Sequence, residues 1–248
     1  MRIRGYVVRI WAVAKKDMRI YYLKGPVVIF GMLIPAFLYL AYAVGRNITP
    51  QQAIPGIMSM TVFFTSTSVG PVIMPWEARS RTLERLLSSP VNMPMILLGD
   101  ATASATFAVA LTTAVSLVGL SLKVCTFRLA ILAFNLVASA LCYSFLGLAM
   151  SAYPSDVPAT VMMLSSLVKF PMVFISGIFI PIEAMPTPLK MLSLLSPLTY
   201  TTELFRASVG LNVQVAPRFA ALILAAYTAA VTYVTMRLHK ATLPRRFQ

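Results

Sequence analysis

Acidic residues are scarce in this chain, with seven Asp and Glu against 21 Lys and Arg, and there is one histidine, His239. That shortage excludes most hydrolytic and metal chemistry, which needs carboxylates, imidazoles or thiols gathered at one place. The two cysteines, Cys125 and Cys142, have no CxxC or Cys/His spacing around them, so neither a metal nor a redox role is expected. The dipeptide Gly-Lys is missing altogether, and with it the phosphate-cradling loop GxxxxGK[ST]. The segments between apolar runs carry no carboxylate cluster suited to magnesium. If ATP drives this protein, another chain binds it. A hydrolase or ion-coupled carrier would need a base, a metal or paired carboxylates at membrane depth. Asp100 and Asp156 instead fall at the ends of apolar runs, where a solvated carboxylate is ordinary.

What the chain has is apolar length. Of its 248 residues 58% are hydrophobic and 11% charged, with a mean hydropathy of +0.81, too apolar for a soluble domain. At about 20 residues per crossing, six transmembrane helices fit, at 26–44, 54–75, 101–122, 128–151, 158–180 and 218–236. The Gly, Pro, Ser and Thr inside them are tolerated in membranes and permit close packing. A net charge of +14 raises nucleic acid as a partner, but the basic residues sit between the apolar runs, so none is expected. The first 25 residues hold seven Lys and Arg, too long and basic a stretch for the start of a cleaved signal peptide. With the N-terminus inside, fourteen Lys and Arg lie on the inner segments and six on the outer ones, as positive-inside topology requires. Both termini are then cytoplasmic, in the cell membrane. No internal repeat is visible, so one chain is expected to pair with a second.

Three segments carry functional signals. In residues 1–25, Tyr6, Ile10, Val13, Met18 and Tyr21 alternate with Arg2, Arg9, Lys15, Lys16 and Arg19, which reads either as a basic amphipathic helix in the headgroup plane or as a charged tail. Between the second and third runs, Leu83, Leu86 and Leu87 share one helical face and Arg81, Glu84, Arg85 and Ser88 the other. Thr82 is the expected cap and Pro90 the expected stop. Such a helix either docks on a partner's groove or rests on lipid. Lys169 lies about 18 Å into the fifth run at 1.5 Å per residue, near the middle of the bilayer. It either faces a cavity for anionic cargo, pairs with a carboxylate, or snorkels. Phe170, Phe174 and Phe179 either line the same path or face lipid. Glu203 and Arg206, three residues apart, read as a helix ion pair before a cargo site.

Residues 77–100, ending VNMPMILLGD, resemble the cytoplasmic loop of the ABC-2 type family of ATP-binding-cassette transporter permeases. Residues 174–186 (FISGIFIPIEAMP), 194–200 (LLSPLTY) and 203–206 (ELFR) resemble that family's motif around the end of the fifth span. The resemblance implies an all-α integral membrane protein with an N-terminal elbow helix, six transmembrane helices, a cytoplasmic coupling helix near 78–89 and short outer re-entrant helices within 181–217. It further implies two permease chains, as a homodimer or heterodimer, each seated on one copy of a separate ATPase. ATP and Mg would be bound by that partner, and no cofactor by this chain. Arg81, Glu84 and Arg85 would be polar contacts to the ATPase, with Leu86 and Leu87 packing on it, and Lys169, Phe170 and Phe174 would border the cargo path. Arg81 stands where the family commonly has Gly, so a straighter loop is expected. The implied function is export of a lipophilic drug, lipid or lipid-linked saccharide. The alternatives are an ion-coupled secondary transporter and a non-transporting membrane scaffold.

Overall fold

The computed structural model describes residues 2–22, 33–44, 49–153, 155, 157–180 and 182–242. Among these the regular structure is helical throughout: α1 (Arg2–Asp17), running into a π-helical turn (Met18–Tyr22), α2 (Ile34–Ala43), α3 (Pro50–Ser68), α4 (Gly70–Arg79), α5 (Thr82–Ser88), α6 (Met93–Ser121), α7 (Leu129–Met150), α8 (Pro158–Ile175), α9 (Thr187–Leu194), α10 (Pro197–Ser208) and α11 (Pro217–Thr242). Five stretches are long and apolar enough to cross a membrane: Gln51–Arg79, Met93–Ser121, Leu129–Met150, Pro158–Ile175 and Pro217–Thr242. Of the run expected at 26–44, residues 26–32 lie outside the described residues, and so does Asp156.

Local chemistry sets most boundaries. Pro50, Pro94, Pro158, Pro197 and Pro217 occupy first-turn positions, where a missing N–H costs nothing. Asn92 caps α6 by accepting the Met95 N–H at 3.2 Å, so this helix begins at Met93 and not near 101. Its 29 residues span about 44 Å, longer than a bilayer core is thick. α8 stops at Ile175, two residues before Gly177, whose φ of +79° favours glycine. α11 continues to Thr242, past the expected 236, so His239 lies on a helix and is buried.

The stretch α3–α4 is the axle of the bundle. Met58, Met60, Val62 and Phe63 are fully buried, and α2, α6, α7 and α10 pack around α3. Two of its buried hydroxyls bond back to their own helix, Ser59 to the Pro55 carbonyl and Thr67 to that of Phe63, each at 2.7 Å, so these two add no unmet polarity, whereas the buried hydroxyls of Thr61 and Ser66 meet no partner among the described residues. α10 is wedged between α3, α7 and α11. Asn135 donates to the Thr201 carbonyl at 3.0 Å, and Tyr143 meets the Thr201 hydroxyl at 2.6 Å. Polar side chains between helices join them more strongly in lipid than apolar contact can, since lipid is itself apolar.

Candidate functional site

Three places in the bundle concentrate polar chemistry, and the first is at the end bearing α1 and α5. α1 lies along the start of α6 because Gly99 leaves room. A Cβ there would meet Val13 at 2.6 Å and the Ile10 carbonyl at 3.1 Å. Beneath this crossing Lys16 forms an ion pair with Glu77 of α4 and another with Asp17, the latter at 3.1 Å. Asp17 and Glu77 are buried, and so is Asp100 of α6, contrary to the solvated carboxylate expected from its place near a run's end. Asp100 sits beside Asp17, Glu77 and the shared Lys16, and neither of its carboxylate oxygens meets a hydrogen-bond donor among the described residues. Burial works against the Lys16 ammonium, but Asp17 and then Glu77 outweigh it and hold its pKa above the usual lysine range. A raised lysine pKa stabilises docking below the unfolded value near 10.4 and loses that contribution only as pH climbs through the folded value. Burial, with Glu77 adding, pushes the Tyr21 phenol up to about 12, and its ring stacks on Trp76 at 5.6 Å.

The same helix reaches the far side of the α5 loop. Arg9 donates to the Pro90 carbonyl at 2.6 Å, and Asn92 donates to the Tyr6 hydroxyl at 3.1 Å. α1 thus grips the segment 77–92 at both ends, which settles its two sequence readings in favour of a packed amphipathic helix.

α5 itself departs from expectation in three ways. Arg81 is the cap and Thr82 the first helical residue; Thr82 donates instead to the Glu77 carbonyl at 3.3 Å. Arg81 takes up the left-handed region, φ 54° and ψ 20°, so the bend that glycine would give is kept, at a cost of about 1 kcal/mol or more for a residue with a Cβ. The apolar face turns inward: Leu83 is fully buried with Met74, Ile96 and Leu97, and Leu86 and Leu87 are half-buried on the same cluster. What α5 presents to solvent is Arg81, Glu84, Arg85 and Ser88. Ser89 closes the helix just before Pro90, as expected.

The second place is deep in the bundle. Lys169 of α8 is buried and donates to the Thr67 carbonyl at 2.6 Å. No ion pair with an acidic side chain holds it among the described residues. It borders a cavity of about 240 Å³ with Phe64, Ser68, Ser165, Ser166 and Phe170. Phe170 leans on Phe64 at 6.2 Å, and Phe174 stacks on Phe179 at 5.4 Å, yet Phe170 and Phe174 remain exposed, as do Met163 and Leu167 on the same helix.

This helical bundle gathers polar side chains beneath α1, around Lys169 and at the Glu203–Arg206 pair, with no metal-binding cluster among its described residues. Its sequence matches the family model described as ABC-2 type transporter over residues 4–210. The chain belongs to the ABC-2 type transporter family. No curated protein matches it. The ABC-2 membrane domain is a permease without a nucleotide-binding domain of its own, and with its several long apolar helices this is a multi-pass membrane protein of the transport class.

Within this ABC-2 chain, Glu203 and Arg206 form the expected ion pair at 3.2 Å. They do more than neutralise each other. Arg206 donates to the Gly177 carbonyl at 2.7 Å, and Glu203 accepts the N–H groups of Gln214 at 2.6 Å and Val215 at 3.2 Å. The pair clasps three segments at the end opposite α1. Of the residues singled out from sequence, Arg81, Glu84 and Arg85 share one exposed face and Lys169 and Phe170 one cavity. Asp17, Glu77 and Asp100 were not among them. They are separated by 60 and 23 positions, and no local spacing announces a cluster built from such distant residues.

Proposed function

We propose that this chain is the permease of an ATP-driven exporter, with α1 as its elbow helix, α5 as its coupling helix and both termini in the cytoplasm. The observation that carries this reading is the exposed polar face of α5. Arg81, Glu84, Arg85 and Ser88 project from a helix whose leucines are spent on the permease core and which continues directly from the axle α3–α4. A push on α5 is therefore delivered to the most buried helix of the bundle. Two ATPase subunits, carrying ATP and Mg, would sit on two permease chains, as a homodimer or heterodimer. The first crossing would run through 26–44 to complete six, and residues 182–208 would form the outer re-entrant helices. The exposed aromatic and Met-rich face of α8, with Phe170 and Phe174, borders the cargo path and suits a lipophilic drug, lipid or lipid-linked saccharide.

Charge reversal tests the docking face. Glu84→Lys with Arg85→Glu leaves the half-buried leucines in place, so the permease is expected to reach the membrane at normal yield. Its co-purification with the ATPase is expected to fall at least tenfold, matching the 2 kcal/mol or more, roughly, that truncated hot spots cost. Undiminished co-purification places the contact elsewhere. The buried carboxyl pair Asp17–Asp100 bears on the ion-coupled alternative. It lies about 10 Å along α6 from its start, at the bundle's end and away from the cavity, and so favours anchoring of the elbow helix over an ion path.

A further inference from the structure

Proline has no N–H, so Pro71 leaves the carbonyl four residues before it, that of Thr67, without its partner in the helical ladder. The axle breaks at this point. α3 ends at Ser68 and α4 starts at Gly70, with the Val69 carbonyl accepting the N–H groups of Val72 at 2.9 Å and Ile73 at 3.1 Å. This stretch is the most buried crossing in the bundle, where no water is at hand to satisfy a freed carbonyl.

Neighbouring helices supply what the ladder lacks. Ser104 of α6 donates to the Ser66 carbonyl at 2.7 Å, and Lys169 of α8 donates to that of Thr67 at 2.6 Å. From a third side α7 abuts the break by its backbone, since a Cβ on Gly70 would lie 2.9 Å from the Gly147 carbonyl carbon. α8 packs along α4, beyond the break, and hardly along α3. The lysine stem is long enough to bridge from such a position to Thr67, which no hydroxyl side chain could do.

We propose that Lys169 is a positioning residue that pins α8 to the proline break of the axle, so that α8 and α4 move as one piece with the coupling helix α5. The cargo-bordering face of α8 is then tied to the element that the ATPase would push. The assignment deepens the exporter reading and rests on it only for the transport readout; the pin itself is a property of the isolated chain.

A double-mutant cycle separates the pin from a cargo contact. Lys169→Met orphans the Thr67 carbonyl and is expected to lower the folded-to-unfolded ratio of the purified permease about tenfold or more, as an unsatisfied buried acceptor does. Pro71→Ala restores an N–H at the right register. Val69 keeps right-handed helical backbone (φ −100°, ψ −34°), so that N–H points back toward Thr67. In the Lys169→Met background Pro71→Ala is expected to recover most of the lost stability, and Lys169→Arg, which retains donors, to lose less than Met. If Lys169→Met is as stable as wild type, or Pro71→Ala fails to rescue it, the pin is wrong. In the reconstituted complex, Lys169→Met is expected to lower transport per ATP hydrolysed, with rescue by Pro71→Ala. Lost transport at full stability and without rescue would make Lys169 a cargo contact and overturn the assignment. Should no ATPase pair with this chain, the stability cycle still reads the pin on its own.

Discussion

Lys16→Met is expected to destabilise the folded permease by about 3 kcal/mol or more, the usual consequence of removing one partner from a buried ion pair. Lys16 is the cation between three buried carboxyl groups, those of Asp17, Glu77 and Asp100. Without it three buried carboxyl groups face one another with no cation between them, which weakens the packing of α1 on α4 and α6. Methionine keeps most of the stem, so lost packing contributes little. The companion variant Glu77→Gln removes one negative charge along with the pairing and is expected to cost less than Lys16→Met. Thermal unfolding in detergent checks the order. Equal stability of Lys16→Met and wild type would mean that the carboxyl groups are solvated and that α1 is held by its apolar face alone.

Gly70→Val is expected to be at least as damaging. Its Cβ would press on the Gly147 carbonyl carbon at 2.9 Å and the Leu148 nitrogen at 3.0 Å, and both are backbone atoms that cannot swing aside. Overpacking typically costs about 1 to 3 kcal/mol. Here it also forces α7 away from the axle at the break that Ser104 and Lys169 hold together, so the upper part of that range or beyond is expected. Gly5 supplies the control, since nothing lies within 4 Å of a Cβ built there, and Gly5→Ala should leave stability unchanged or raise it by about 1 kcal/mol through helix propensity. Folded yield after detergent extraction distinguishes the two. A Gly70→Val protein as abundant and monodisperse as wild type would show that the α4–α7 contact is loose.

Much of the fold was legible because apolar length is a local signal. Apolar length placed the long helices, but the cap at Asn92 and the proline at 94, which start α6 eight residues before the expected 101, were passed over; the spacing of Leu83, Leu86 and Leu87 foretold the amphipathic character of α5. What the pattern could not tell is which way that amphipathic helix faces. An apolar stripe fits a partner's groove and the chain's own core equally well, and only the position of Met74, Ile96 and Leu97 decides for the core. Arg81 misled for a different reason: a residue's type biases its backbone without fixing it, and this one sits at positive φ in the turn between α4 and α5. Lys169 was legible as costly at its depth, but its partner was not, because that partner is a backbone carbonyl freed by a proline 98 positions earlier. Pro71 was the available signal, for a proline within a buried crossing always leaves a carbonyl to be accounted for.

The central claim is that this chain transports and another chain hydrolyses ATP. The most direct test is the ATPase activity of the purified permease alone and after reconstitution with an ATP-binding-cassette subunit in liposomes, with and without vanadate. The account predicts no hydrolysis by the lone chain, and vanadate-sensitive hydrolysis by the complex that disappears with Glu84→Lys, Arg85→Glu. Sustained hydrolysis by the lone chain, or a complex whose activity ignores the α5 charges, would contradict it.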